Sequence, residues 1–259
     1  MIKPYVADLH IHTVLSPCSE IEMIPELIIN EALSKHIDII AITDHNSAEN
    51  VKAVIKAATG TKVKIFPGIE VETREEVHII CIFDDPEKTL ELQKMIYRNL
   101  PNLKNKEETF GAQLVVNSKG EFIRKNERLL LTATSLSIED IVRKVRELDG
   151  ICYPAHIDRP SYSIISNLGF IPPQLKFLAV EISLNADIYD ILQKYKNLKN
   201  YTIISSGDAH RLSELSDRTI FRIEKPTLNE LKLAFLNKNG RRVFVKKKIE
   251  RRKINGRCY

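Results

Sequence analysis

The sequence predicts an α/β barrel whose parallel strands lie beneath a layer of helices. Three observations carry this. Short apolar runs alternate with helical stretches along most of the chain, the pattern of strands buried on both faces. Seven or so such units fall within the length of one domain, which favours a barrel over an open sheet. Reactive side chains gather just past the apolar runs, where barrel enzymes carry their chemistry.

The elements follow in order. Residues 5–8 read as a short strand. Residues 24–35 have helical periodicity, with Ile24, Leu27, Ile28 and Ala32 near one face. Residues 39–43 are nearly all apolar and form a buried strand; 48–58 are helical, and 62–66 give another strand. A strand over 77–83 precedes a helix opening near Pro86. The stretch 97–136 breaks the rhythm. Within it, 113–116 and 121–124 flank Asn117-Ser-Lys-Gly120 and read as a hairpin. We take it as an insertion on the barrel, near the site. Ser137 opens a helix in a capping box with Asp140. Strands over Ile151–Pro154, 177–182 and Thr202–Ser205 follow. Thr227 and Glu230 cap a last helix running to about Leu236.

At 259 residues, 43% hydrophobic and 28% charged, the chain reads as a single soluble domain over 1–259. No apolar run approaches the ~18 residues of a membrane span, and the N-terminus lacks a signal peptide's apolar stretch. The four cysteines are far apart and form no CxxC, which points to a reducing cytoplasm. The net charge of +5 conceals an asymmetry. Residues 238–259 hold ten Lys or Arg against one acid, so the body is mildly acidic. Such a basic C-terminal tail can dock on nucleic acid or another polyanion, or simply be a solvated end.

The seven histidines carry the functional signal. His10 and His12 follow the first strand, His45 the second, His156 the run ending at Pro154, and His210 the run ending at Ser205. Glu70, past the 62–66 strand, and Asp208, in Ser206-Gly-Asp-Ala-His210, join them. His78 opens its strand rather than ending it, and His36 closes a helix and is given no role. An H-x-H pair at a strand end points both imidazoles to one side, where they can share a metal at about 2.0–2.1 Å. A carboxylate such as Glu70 can bridge two metals, an arrangement that activates water for displacement.

The ordered set DLHIHT, ITDH, GIE, His78, PAH and SGDAH resembles the PHP family, named for its polymerase and histidinol-phosphatase members. The resemblance runs from Asp8 to His210. It implies a distorted (β/α)7 barrel holding two or three zinc, manganese or iron ions at the C-terminal ends of the strands. It also implies phosphoester hydrolysis by a metal-activated hydroxide. By position, His10, His12, Glu70 and Asp208 would hold one metal. Glu70 would bridge to a second, completed by His78 and His156, and His45 and His210 would hold a third. The chain departs from the family where a further ligand to the third metal often stands. Cys18 lies there, with Glu20 as the alternative.

Around these, Asp8 and Asp44 are placed to orient ligand imidazoles. Arg159, three residues past His156, could grip a phosphate; its bland reading is a salt bridge to a nearby acid. Arg211 and Asn185 are weaker candidates for the pocket. Catalysis is assigned to Asp208, Glu70 and Arg159. Two other functions compete: an amidohydrolase-type barrel, and a non-catalytic metal-stabilised module that binds nucleic acid. The substrate, whether nucleotide, oligonucleotide end or small phosphorylated metabolite, is not legible.

Overall fold

The computed structural model describes residues 1–247. Among these residues, eleven strands and eight α-helices follow in chain order. The strands are β1 (Lys3–Ile11), β2 (Ile39–Ile42), β3 (Lys64–Glu72), β4 (His78–Ile82), β5 (Leu114–Val116), β6 (Phe122–Lys125), β7 (Ile151–Pro154), β8 (Ala179–Ile182), β9 (Thr202–Ser205), β10 (Thr219–Ile223) and β11 (Arg242–Val245). The helices are α1 (Pro25–Ser34), α2 (Val51–Ala57), α3 (Pro86–Asn99), α4 (Glu107–Phe110), α5 (Ile138–Glu147), α6 (Ile164–Leu168), α7 (Ile188–Lys194) and α8 (Leu228–Phe235). None of them is long and apolar enough to cross a membrane.

Seven strands form one sheet in the order β11-β10-β1-β2-β3-β4-β7, while β8 and β9 pair separately. The sheet is mixed, which corrects the all-parallel expectation. In it only the β1–β2 and β2–β3 neighbours pair in parallel. β4 turns back against β3 through a tight loop in which Thr73 and Val77 bond and Glu76 takes φ 56°. β10 and β11 are antiparallel to their neighbours. The parallel β8–β9 pair lies beside β7 on one side and β11 on the other, across the opening of the curled sheet.

The apolar strands are continuous because both faces are covered. In β2, Ile39 and Ala41 join one buried cluster while Ile40 and Ile42 join the other. α8 adds Leu228, Leu231, Ala234 and Phe235 to the smaller cluster. α5 is amphipathic and buries Ile138, Ile141, Val142 and Val145, with the Ser137–Asp140 capping box formed as expected.

Several boundaries move. β1 and β3 each run further than expected, so His10 and Glu70 lie within strands rather than past them. β10 and β11 were not anticipated. β11 removes Arg242–Val245 from the supposed tail; Arg241 is also committed, pairing with Glu230 and Glu224. The part of the basic tail beyond Lys247 lies outside the described residues. The hairpin at 113–125 forms, with Gly120 at φ 81° in its turn. The stretch is bound to the site-bearing loops. Asn46 Nδ2 donates to the Leu130 and Thr132 carbonyls at 2.9 Å, and Leu114 N–H donates to the Val14 carbonyl.

Candidate metal centre

The donors meet at one end of the sheet because of strand direction. β1 and β2 deliver His10, His12 and His45 at or just past their C-terminal ends. Past β2 the backbone stays bridged to β3, which sets His45 beside Glu70. β4 runs the other way, so its first residue, His78, lies opposite Glu72 at the same end. β7 reverses again and leads to His156. The segment after β9 is stitched to β1 by Ala209 N–H to the His10 carbonyl and His12 N–H to the Ala209 carbonyl, bringing in Asp208 and His210. Asp208 and His156 both sit at positive φ, 47° and 29°. Such non-glycine strain is found where a site over-determines the backbone.

Three overlapping groups of potential ligand atoms result, each within 4.8 Å: His10, His12, Glu70 and Asp208; His12, His45 and His210; His45, Glu70 and His78. Glu70 is central. Its two oxygens lie 2.8–3.4 Å from nitrogens of His10, His12, His45, His78 and His156. Yet neither oxygen has a partner in hydrogen-bond geometry, and the same holds for His78 Nδ1 and both His156 nitrogens. Buried lone pairs that crowd together without hydrogen bonds are uncompensated unless a cation lies among them. The donor set of imidazoles and carboxylates suits divalent transition metals.

The electrostatics agree. Burial opposes every charge, but His78, His10 and His45 hold the Glu70 carboxyl well below its usual range. Against the same burial, His10 and His12 hold Asp208 down. His10 stands well above its usual range because Asp208, Glu181 and Glu70 outweigh its burial. Burial, with His210 and His45 adding to it, pushes His12 down. Without a metal, protons on some imidazoles must balance the acids; a divalent cation displaces them.

The surrounding residues depart from expectation in instructive ways. Asp8 does not touch a ligand imidazole. Its carboxylate accepts from the backbone N–H of Gly207 at 2.9 Å and Ser216 at 2.7 Å, pinning the loop that carries Asp208. Gly207 is required there, since a Cβ would meet the Glu214 carbonyl and stand 2.8 Å from Asp8 Oδ2. Asp44 acts at one remove: it accepts from Ser16 Oγ at 2.7 Å, and Ser16 Oγ lies 3.0 Å from His12 Nδ1. The acid that does orient an imidazole is Glu181, which the sequence reading missed. It is buried in β8, its Oε1 2.8 Å from His10 Nδ1 and 3.3 Å from the His156 N–H. A lone acid in the apolar run Leu178-Ala-Val-Glu-Ile182 was the available signal.

Cys18 reaches solvent at the rim. Burial of its thiol is outweighed by the neighbouring His210 and His45 imidazoles, which lower it to about 6. Glu20 instead faces Arg211 at 3.5 Å. Arg159 Nη1 lies 2.6 Å from Asp208 Oδ2, with its side chain 42% exposed. Asn185 lies in the exposed turn after β8, and His36 is exposed beyond α1.

The comparisons with known proteins bear on this geometry. The PHP domain family matches residues 8–167. The chain belongs to the PHP family. It thus carries the domain type of metal-dependent phosphoester hydrolases. No curated protein matches it. Among solved structures it is similar to the lesion-specific endonuclease Q of Pyrococcus furiosus, with TM-score 0.68, 22% identity, and coverage of 93% of this chain and 58% of that one. An endonuclease Q complex with a 27-mer duplex bearing an abasic lesion at the active site matches with TM-score 0.64, 22% identity and the same coverage. The PHP chain thus spans little more than half the length of endonuclease Q. A proposed metal-dependent phosphoesterase from Bifidobacterium adolescentis gives TM-score 0.57 at 13% identity, covering 82% of this chain and 90% of that one. An amidohydrolase from Chromobacterium violaceum with bound sulfate gives 0.51 at 16%, covering 82% and 89%. At these identities the likenesses describe the fold.

Proposed function

We propose that this PHP protein is a metal-dependent phosphoesterase, a phosphatase or nuclease, using two or three divalent ions, Zn, Mn or Fe. One observation carries the reading: the carboxylate of Glu70 lies buried among five imidazoles without a hydrogen bond of its own. His10, His12, Glu70 and Asp208 would hold one ion. Glu70, His78 and His156 would hold a second, and His45, His210 and Cys18 a third. Bound there, such ions lower the pKa of water and neutralise phosphate oxygens. Glu70 and Asp208 supply the negative charge that retains them. Arg159, fixed by Asp208 on the solvent side of the cluster, grips a phosphate oxygen and stabilises its developing charge. Glu181 holds the His10 ring with Nε2 turned to the donors.

The curled sheet with the β8–β9 pair across its opening supports a distorted (β/α)7 barrel with the site at the C-terminal ends of its strands. The substrate is a nucleotide, an oligonucleotide end or a small phosphorylated metabolite. The endonuclease Q likeness supports the first two, with the cations beyond Lys247 assisting a polyanion. The wide spacing of the cysteines, with no CxxC among them, supports a reducing compartment such as the cytoplasm.

The test measures metal content and turnover together. Protein loaded with Mn²⁺, Zn²⁺ or Fe²⁺ is assayed on phosphoesters, short oligonucleotides and amides, alongside Glu70→Gln and His10→Ala. Phosphoester turnover lost in both variants, with reduced metal, supports the reading. Amide turnover alone would establish the amidohydrolase alternative, and metal binding without turnover the non-catalytic module. Full activity in either variant at unchanged metal content refutes the assignment.

A further inference from the structure

We propose that Tyr162 is a specificity-determining platform on which a nucleobase of the substrate stacks at the mouth of the metal centre. The inference rests on the phosphoesterase reading above and narrows its substrate class to phosphoesters that carry a planar ring.

The ring array of the site steps outward to this residue. His45 and His78 lie edge to face at 5.4 Å, and His78 and His156 at 5.3 Å. Tyr162 then stacks on His78, with centroids 4.9 Å apart and planes 22° from parallel. Across that last step exposure rises from 8% at His78 to 46% at Tyr162. One face of the tyrosine is thus taken by the histidine, and the residue remains open to solvent. Its hydroxyl has no hydrogen-bond partner among the described residues, so the side chain is not held there by a polar contact.

The backbone holds the ring in place at a cost. Tyr162 has φ 55°, a conformation that bulky side chains rarely adopt and that marks strain retained for a purpose. Its carbonyl accepts from the His78 N–H at 3.0 Å. The next residue, Ser163, caps α6 and donates to the Ile157 carbonyl at 3.3 Å. At the other end of this short loop, Asp158 accepts from the Ser183 N–H at 2.7 Å. The loop therefore presents two groups on a fixed frame: the Arg159 guanidinium at Asp208 and the Tyr162 ring at His78. A cation for phosphate and an aromatic face for a ring are the two elements of sequence-tolerant nucleotide binding, and each stacked base typically gains roughly 5- to 100-fold in affinity.

The experiment uses the metal-loaded full chain with two probes that share a scissile bond, adenosine 5′-monophosphate and ribose 5-phosphate. Binding is measured by calorimetry and hydrolysis by phosphate release, for wild type, Tyr162→Leu and Tyr162→Phe. The expected result is a fall of roughly 5- to 100-fold in the preference for the nucleotide in Tyr162→Leu, in both binding and kcat/KM. Tyr162→Phe should retain the preference, because the ring does the stacking. A loss shared equally by both probes, a preference unchanged in Tyr162→Leu, or a preference lost in Tyr162→Phe would overturn the platform. If wild type binds the nucleotide in a Tyr162-dependent way but hydrolyses neither probe, nor any of the phosphoesters and oligonucleotides of the assay above, the phosphoesterase reading fails while the platform stands.

Discussion

Glu181 offers the sharpest test of how the cluster is organised, because it touches no substrate and is remote in sequence from every motif. Its side chain is buried, and one oxygen serves both His10 Nδ1 at 2.8 Å and the His156 N–H at 3.3 Å. Replacing it with Leu leaves two buried donors unpaired, each costing about 1–3 kcal/mol. The same change removes a buried carboxylate, whose own desolvation offsets part of that loss. Folding therefore loses less than the sum of the two, and metal affinity is compared on protein shown to be folded. Carboxylates behind metal-ligating imidazoles are typically worth about 10- to 100-fold in metal affinity, or about 1.4–2.8 kcal/mol. Glu181→Leu should fall in that range. Glu181→Gln keeps a neutral acceptor in place and should lose less. Glu181→Asp withdraws the carboxylate by about 1.5 Å and should resemble Leu. Chelator competition with Co²⁺ or Zn²⁺ gives the affinities, and long-range ¹H–¹⁵N spectra of the histidines report whether His10 keeps its proton on Nδ1. A Glu181→Leu protein that binds metal within about twofold of wild type, outside that range, would refute the reasoning.

Other substitutions probe the rest of the site. Arg159→Ala should cut kcat/KM by about 30- to 1000-fold, the range of a lost oxyanion donor, with bound metal retained; a change within about twofold reduces Arg159 to a partner of Asp208. Cys18→Ser should lower the metal content by one ion or weaken the last ion to bind, and the thiol should resist alkylation in loaded protein; free alkylation there would leave the third ion to the histidines. Gly111 sits at φ 94°, and a Cβ there would run into the Pro17 carbonyl. Gly111→Ala should thus destabilise the fold by about 1–3 kcal/mol, visible as a Tm several degrees lower, and an unchanged Tm would show that the insertion does not press on the Cys18 loop. Removing residues from 248 onward should flatten the salt dependence of oligonucleotide binding without changing that of a small phosphoester; no difference between the two would make the tail a solvated end.

The helices were legible because their signals are local. The capping box at Ser137 and Asp140 and the apolar spacing of residues 24–35 each need only a few neighbours, and both helices form. Strand direction is different. Nothing in residues 77–83 says that the strand runs against its predecessor, since an apolar run buried on both faces has the same composition in either orientation. The decisive feature, the turn through Glu76 at φ 56°, falls on a glutamate, and the turn signal is normally sought in Gly or Asn. β10 and β11 escaped for another reason: Arg222 and Arg242 face outward on the edge strand β11 and its neighbour β10, and charge there hides the apolar alternation.

The same error of direction explains why His78 looked out of place. Read as the first residue of a parallel strand, it belongs at the end of the sheet opposite the other donors. Read as the first residue of an antiparallel one, it belongs with them, and its Nδ1 lies 2.8 Å from Glu70. Motif order thus picked out side chains that the fold gathers into one cluster of potential donors, because a site constrains which residues meet without constraining the path between them. The supporting residues lacked that protection. Asp8 and Asp44 are close in sequence to histidines, but closeness along the chain does not decide which donor a carboxylate meets: Asp8 shares a strand face with His10 and still accepts from the Gly207 and Ser216 N–H groups. Each instead fixes a loop or a serine, while the carboxylate behind His10 comes from 171 residues away. A partner so distant can be inferred only from what it costs to bury: an acid alone in an apolar strand must have a donor waiting for it.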